Sequence, residues 1–363
     1  MWRSIESSCE VRRFQGVRFE FQMKNKNLKV LIAPDSFKGT FTASRVAAAI
    51  SEGVLAAGDE ADCCPLADGG EGTMRTLVSS AGGRIIKVAV RDPLGRPVDA
   101  DFGLVEDGST AVVEMAEANG LGRVEIESRD AEAASTYGTG ELMVAAAGMG
   151  VRRILVAVGG SATTDGGSGC LEAIRDAGGI GDVELVVLCD VAVPWESAPS
   201  MFAPQKGADQ AAVTRLEARL ASLADQLPRD PRGIPRTGAA GGLAGGLWAS
   251  LGAELVSGAD WLLDATGFDS RASAADIVVT GEGRLDRQTT EGKLVGAILR
   301  RTVRSGLITV AAVGQNDLSE TAFRSMGLTA VVEAPTPGEL ETFGERLKFI
   351  EPIRLSLENC IDR

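Results

Sequence analysis

The 363-residue sequence contains no histidine. That absence removes Ser-His-Asp and Cys-His catalysis and every histidine-bearing zinc site. Cysteine occurs six times (Cys9, Cys63, Cys64, Cys170, Cys189, Cys360), never in a CxxC spacing, and only Cys63 and Cys64 are neighbours. The pattern reads as reduced, buried thiols of a cytosolic protein. Any metal is therefore expected to be a hard ion held by oxygen, magnesium first. Positive charge is also short: 37 Lys and Arg against 50 Asp and Glu leave a formal charge of -13. Nucleic acid is excluded as a partner on that ground, because phosphate backbones demand a basic face. A local group of Lys and Arg can still hold a small anion.

No apolar run reaches the roughly 18 residues of a membrane span. Residues 1–22 alternate charge with isolated apolar residues and lack the continuous apolar segment of a secretory signal. A strand pattern begins soon after Met23, so Met23 is read as the natural start and 1–22 as a disordered tail or an overextended start. Neither standard nucleotide cradle is present. Gly281-Glu282-Gly283 opens as GxG, but Asp286 stands where a dinucleotide fingerprint needs glycine or alanine. Gly292-Lys293 has the look of a P-loop ending, yet Arg287 occupies the required glycine and Leu294 the magnesium-binding hydroxyl. No internal repeat is evident.

What is present is an alternation of short apolar runs and helical patterns, the mark of an α/β protein. LKVLIAP (28–34) predicts a buried parallel strand. Residues 42–58 predict a helix with Val46, Ile50, Val54 and Leu55 on one face, Thr42 or Ser44 as N-cap and Gly58 as its stop. ADCCPLADGGEG (61–72) adds a strand end and a glycine turn. The signature returns late, in ADIVVTGEG (275–283), a helix over 293–306, LITVAAVG (307–314) and GLTAVVEAP (327–335). Between these, residues 87–116 alternate around DPLG and EDG turns and predict antiparallel strands. Length over about 150 residues per domain suggests two domains. The expectation is a discontinuous first domain, 23–68 plus 274–363, with an inserted α/β domain over 69–273. The Pro/Arg/Gly-rich stretch 226–238 reads as a mobile connection.

Four segments place glycine with a carboxylate or lysine just past an apolar run: APDSFKG (33–39), LADGGEGT (66–73), VGGSATTDGGSG (158–169) and VTGEGRLDRQTTEGK (279–293). Open α/β sheets bind ligands beyond the carboxyl ends of their strands, so these turns are where a site would be built. Gly166 and Gly167, ahead of a helix over SGCLEAIRDAG, suit phosphate binding by backbone N–H groups, with Ser161, Thr163 and Thr164 as further donors. The alternative is a tight turn in which Asp165 caps the helix. Asp190, ending VELVVLCD, reads as a magnesium ligand, a base for a hydroxyl, or an Asx-turn. Lys206 in PQKG reads as an anion contact or as a solvated lysine. GAAGGLAGG (238–246) reads first as a helix start packed against a neighbour. The hydroxyls of Tyr137 and Thr139 are candidates to line a polar pocket.

With these segments in view the chain resembles the type 1 glycerate kinase family (glycerate 2-kinase). APDSFKGT, LADGGEGT, DPLGRPV, STYGTGE, VGGSATTDGGSG, LCDV, FAPQKGA, GAAGGLAGG and TGEGRLDRQTTEGK occur in family order within residues 28–335. The resemblance implies a flavodoxin-like (Rossmann-type) parallel-sheet domain holding a second α/β domain of restriction-enzyme-like topology. It implies transfer of the ATP γ-phosphoryl group to a hydroxyl of D-glycerate with magnesium, giving 2-phosphoglycerate in preference to 3-phosphoglycerate. The partners implied are small molecules, not nucleic acid or membrane, in a cytoplasmic enzyme with a homodimer as candidate assembly. Carried onto this sequence, Asp190, Asp165 and Lys38 are the catalytic candidates. Asp35, Ser36, Lys206, Arg284 and Thr139 are the substrate contacts. Gly159, Gly160, Ser161, Thr163, Gly166, Gly167, Glu282 and Asp286 are the nucleotide contacts. Asp68, Glu71 and Asp190 are the metal ligands. Asp35, Lys38, Asp68, Glu71, Asp165, Asp190, Lys206, Glu282, Arg284 and Asp286 are expected to gather in an interdomain cleft.

Three departures stand out. Thr164 replaces the asparagine usual before the aspartate of the glycine loop. Ala192, Val193, Pro194 and Trp195 replace the D-N-P-L usual after CDV. The segment between the glycine loop and CDV is shortened. Polar groups lost beside Asp190 imply that a kinase for another small hydroxy acid, or a catalytically weak metabolite-binding paralog, stays open as an alternative.

Overall fold

The computed structural model describes residues 27–37, 39–286, 289 and 294–361. The expected tail and start at Met23, together with Lys38, Gly292 and Lys293, lie outside the described residues. The described strands, in chain order, are β1 (Lys29–Pro34), β2 (Glu60–Cys63), β3 (Arg84–Arg91), β4 (Pro97–Val105), β5 (Thr110–Glu114), β6 (Arg153–Ala157), β7 (Glu184–Cys189), β8 (Glu254–Ser257), β9 (Ile277–Leu285), β10 (Ile308–Asn316) and β11 (Ala330–Glu333). They form two sheets, and the chain divides into two compact units.

The first unit takes the described residues of 1–65, 267–287 and 298–363. Its five strands run β11-β10-β9-β1-β2, all parallel. Counted within the unit this is the order 2-1-3-4-5 of flavodoxin-like sheets, whose switch point lies between β1 and β9. Such strands are covered on both faces, which is why β1 reads as a continuous apolar run and buries every residue after Lys29. The helix Ala43–Ala56 starts where Thr42 Oγ1 accepts the Arg45 N–H at 3.3 Å. Val46, Ile50 and Val54 pack inward as predicted, whereas Leu55 is 58% exposed, because one residue further turns the side chain about 100° around the helix. Asp59 and Lys348 form a buried pair at 3.0 Å, and Asp59 also accepts the Leu28 N–H, fixing the entry to β1.

The second unit takes 66–266 and the described part of 288–297. Its six strands run β3-β4-β5-β6-β7-β8. β3, β4 and β5 pair antiparallel, and β5 to β8 pair parallel. The DPLG turn between β3 and β4 is closed by Asp92 Oδ1, which accepts the N–H groups of Leu94 and Arg96 at 2.9 Å each. Phe102, Val113, Leu142, Val156, Val187 and Leu247 belong to the core of this unit.

The 226–238 segment corrects an expectation. It is tied down by Thr237, fully buried, whose hydroxyl accepts the Trp195 N–H at 3.0 Å. Its end is held by the Gly238 N–H on Val193 O at 2.9 Å. Proline and arginine here shape a braced turn and do not make a free linker. Among the described residues no helix is long and apolar enough to cross a membrane.

Candidate active site

Parallel pairing sets the tips of three strands side by side in the second unit. In register, Glu114 lies opposite Ala157, and Ala157 opposite Leu188. The residues just beyond, Val158-Gly159-Gly160 after β6 and Asp190 after β7, therefore emerge at one end of the sheet. The loop 66–72 lies against them. A Cβ at Gly69 would sit 3.1 Å from Leu188 O, and one at Gly159 would sit 2.5 Å from Gly70 Cα. No side chain fits at either place without moving backbone, which is the physical demand behind glycine at Gly159. Asp190 Oδ2 is 3.4 Å from that same Gly159 position. On the other side, Asp68 Oδ1 accepts the Gly70 N–H at 3.0 Å. Asp68 and Asp190 thus flank the Gly70–Gly159 contact, Asp68 buried and Asp190 half-buried.

Among the described residues no three carboxylate or thiol side chains are arranged to hold a metal ion. Asp68, Glu71 and Asp190 therefore form no three-carboxylate cage. Magnesium does not need one, since it is held by one or two carboxylates with waters and substrate phosphate oxygens.

Lys206, in the turn Pro204–Lys206, is 1% exposed. The solvated-lysine alternative is thereby removed. Its Nζ donates to Ser161 Oγ at 2.9 Å and to Thr163 O at 2.5 Å, gripping the glycine loop from the inside. Burial pushes its pKa down to about 7, with Asp165 and Asp190 pulling the other way.

Asp165 and the two glycines after it correct the sequence reading. The Asp165 carboxylate accepts four hydrogen bonds: Thr136 N–H and Thr136 Oγ1, both at 2.8 Å, Gly167 N–H at 3.0 Å and Gly169 N–H at 3.2 Å. The Gly166 N–H goes to Gly241 O at 3.0 Å. The donors predicted for phosphate at Gly166 and Gly167 are thus spent on protein acceptors. Their missing side chains serve packing: a Cβ at Gly166 would meet Trp195 at 2.8 Å, and one at Gly167 the Leu243 backbone at 3.1 Å. Thr163 and Thr164 are fully buried, whereas Gly160 at the start of the same loop is exposed.

Tyr137 and Thr139 correct a second reading. Tyr137 opens the helix Tyr137–Gly148 and donates its hydroxyl to Asp176 at 2.9 Å, beneath the Arg91 guanidinium. Thr139 is fully buried and bonds Asn119 Oδ1 through both its N–H (2.6 Å) and its hydroxyl (2.7 Å). Neither lines an open pocket by its hydroxyl.

Glu114 was not singled out by the sequence. It ends β5, is 3% exposed, and burial pushes its pKa up to about 7, with Glu117 and Glu71 adding to the effect and the N–H groups of Met74 and Gly72 opposing it. With Glu71, Glu117, Arg123 and Gly160 it lines a cavity of about 430 Å³. TAVVE is an apolar run ending in a carboxylate, the same layout as β7 with Asp190, and that was the available signal.

In the first unit Asp35 lies just past β1, and Glu282 lies within the neighbouring β9 next to Gly281, with the Asp35 N–H on Gly281 O at 2.8 Å. Asp35 Oδ1 accepts the Ser36 N–H at 2.6 Å. Asp35 and Glu282 are buried and Asp286 is half-buried. Arg284 is exposed and paired through Nε with Asp317 Oδ2 at 2.6 Å, which holds Asp317 below the usual carboxylate range. Its charge is already matched by a side chain of β10's continuation.

Fold and strand-tip groups define the chain as an α/β protein with carboxylates gathered beyond its strands. The family model for the glycerate kinase family matches residues 30–177 and 175–347. The glycerate kinase of Bacillus subtilis (strain 168) is 37% identical over 84% of this chain and 89% of its own length. The glycerate 2-kinase of Escherichia coli (strain K12) is 36% identical over 74% of this chain and 80% of its own. A crystal structure of a glycerate kinase 2 from Salmonella typhimurium LT2 aligns with a TM-score of 0.74 at 33% identity, covering 93% of this chain and 99% of that one. The chain belongs to the glycerate kinase family.

Proposed function

We propose that the protein transfers the γ-phosphoryl group of ATP to a hydroxyl of D-glycerate, giving 2-phosphoglycerate. The observation that carries this reading is the Asp68–Gly70–Gly159–Asp190 cluster beyond β6 and β7, taken with membership of the family. Phosphoryl transfer leaves a protein little covalent chemistry; it must position the groups and balance charge. Asp190 orients the attacking hydroxyl and takes its proton. Asp165, whose carboxylate already accepts four hydrogen bonds, positions the loop and does not touch the reacting atoms. Lys206 holds the same loop through Ser161 and Thr163, and an anion arriving over the loop favours its charged form. Asp68 and Asp190 offer hard oxygen ligands that fit magnesium, whose charge would offset that of the phosphates. In the first unit, Asp35 and Glu282 flank the switch point of the sheet and are assigned further ligand contacts. The four cysteines whose side chains are described are free thiols, which supports a reducing, cytoplasmic setting.

A second reading, a kinase for another small hydroxy acid, draws on Ala192 and Val193, apolar residues two and three places after Asp190. One experiment separates the two. ADP release is measured with ATP, magnesium and a panel of hydroxy acids, and the product is identified by phosphorus NMR. Release with D-glycerate alone supports the first reading, and release with another acid instead supports the second. Asp190→Asn is expected to lower kcat by about 100-fold or more. Retention of more than a tenth of the wild-type kcat removes Asp190 from its role.

A further inference from the structure

Both carboxylate oxygens of Glu114 point at the start of the helix Thr73–Ala81. That helix begins after Gly72, whose φ of 94° is left-handed and which has no side chain to cap the free N–H groups. Glu114 Oε2 accepts the Gly72 N–H at 3.1 Å and Oε1 the Met74 N–H at 2.5 Å. An anion there satisfies orphan donors and complements the helix dipole. Gly72 directly follows Glu71 and closes the loop that starts at Asp68. The loop is therefore held at two points, by Asp68 on the Gly70 N–H and by Glu114 on the Gly72 N–H. Glu114 also sits opposite Ala157, the last residue of β6 before Val158 and Gly159. One side chain thus indexes the 68–72 loop to the strand that carries the glycine loop.

Resting on the kinase reading above, we propose that Glu114 is a positioning residue, which sets the Asp68–Glu71 loop against Gly159 and Asp190 for phosphoryl transfer. A plain structural brace would behave differently: its loss would lower stability and leave the kinetic constants of the folded protein unchanged. Misplacing a reacting group by about 1 Å costs about 100-fold in rate, so a small shift of this loop is readable in turnover.

The test uses the full chain with Glu114→Gln and Glu114→Asp. Gln keeps the shape but sets an amide NH₂ against one of the two N–H donors. Asp keeps the charge on a shorter arm. For Glu114→Gln, kcat is expected to fall about 10- to 100-fold and the magnesium concentration at half-maximal rate to rise, with KM for D-glycerate within about twofold of wild type. Glu114→Asp is expected to recover part of the loss. Thermal unfolding of each variant supplies the folded fraction. Wild-type kcat and magnesium dependence in Glu114→Gln, or a loss accounted for wholly by unfolded protein, overturns the inference alone. Absence of glycerate-dependent ADP release in the wild type overturns the kinase reading, and the inference with it.

Discussion

Lys206→Met tests the buried amine with sign and size both derived from the site. In the folded protein the amine titrates at about 7, against 10.5 for an ordinary lysine, because burial disfavours its charge. Between those two values the unfolded chain holds a proton that the native chain has released. The unfolded state binds more protons there, so stability rises with pH across this window and falls as pH drops toward 7. The full difference amounts to about 5 kcal/mol at 1.36 kcal/mol per unit. From pH 7 to 8.5, where the native amine goes from half to almost wholly neutral, the gain is about 1.5 kcal/mol. Methionine keeps the length and burial of the side chain and cannot titrate, so the variant should lose this slope. It strands the Thr163 carbonyl that Lys206 now bonds at 2.5 Å, at about 1–3 kcal/mol, which lowers the whole profile without tilting it. Urea unfolding at pH 7, 7.75 and 8.5 measures the effect. Glu114, also pushed up to about 7, tilts both profiles alike in the opposite direction, so the effect is read as the difference in slope between wild type and variant. The window stops short of the thiols, since Cys170 and Cys189 are also pushed up by burial and give a slope of opposite sign above 9. Parallel profiles for wild type and variant would mean that the native amine keeps its proton across this window, against the effect expected of its burial.

Two further substitutions test the loops around the site. Asp165→Asn places an amide NH₂ among four donors and leaves at least one unmet; a loss of about 1–3 kcal/mol is expected, visible in calorimetry as a lower Tm, and an unchanged Tm would contradict the hydrogen-bond assignment. Gly159→Ala puts a methyl 2.5 Å from Gly70 Cα and 3.4 Å from Asp190 Oδ2; the strand-tip loops must separate, so kcat should fall by about 10-fold or more while circular dichroism stays native, and wild-type turnover would show that the close approach is not needed.

The sheets were legible because burial leaves a plain trace in sequence. Strands covered on both faces, β1, β7, β9 and β10, read as apolar runs, and the half-covered β3 and β4 read as alternation. Asp190 could be found because it ends such a run, and Asp68 because a glycine turn follows it directly. The function of glycine could not be read the same way. Gly159 is small so that another loop can approach, whereas Gly166 and Gly167 are small so that Trp195 and Leu243 can, and those partners are distant in sequence. Composition is identical in the two cases. Lys206 hid for a similar reason: PQKG looks like a surface turn, and only the tertiary fold supplies Ser161 and Thr163 as its acceptors. Glu114 escaped because the residues after it, MAEANG, begin a short helix, whereas the β6 tip enters glycine.

The departure at 192–195 changes meaning once Trp195 is located. Its ring is 1% exposed, its Nε1–H goes to Leu220 O at 2.9 Å, and it packs where Cβ atoms at Gly166, Gly242 and Gly245 would otherwise stand. Trp195 and the glycines of 238–246 are therefore one packing solution: the large ring requires the small residues, and they would leave a void without it. Pro194 contributes its carbonyl to the same region, against Gly238. Proline stands at 194 in either pattern, so three positions differ, and one of them, Trp195, belongs to the interior. Any effect of this segment on the acid that is accepted must come through Ala192, which is exposed, and Val193, which is half-buried, beside Asp190. Restoring polar side chains at those two positions alone is the change that addresses specificity, because it leaves the Trp195 packing and the Asp165 hydrogen bonds behind the loop intact.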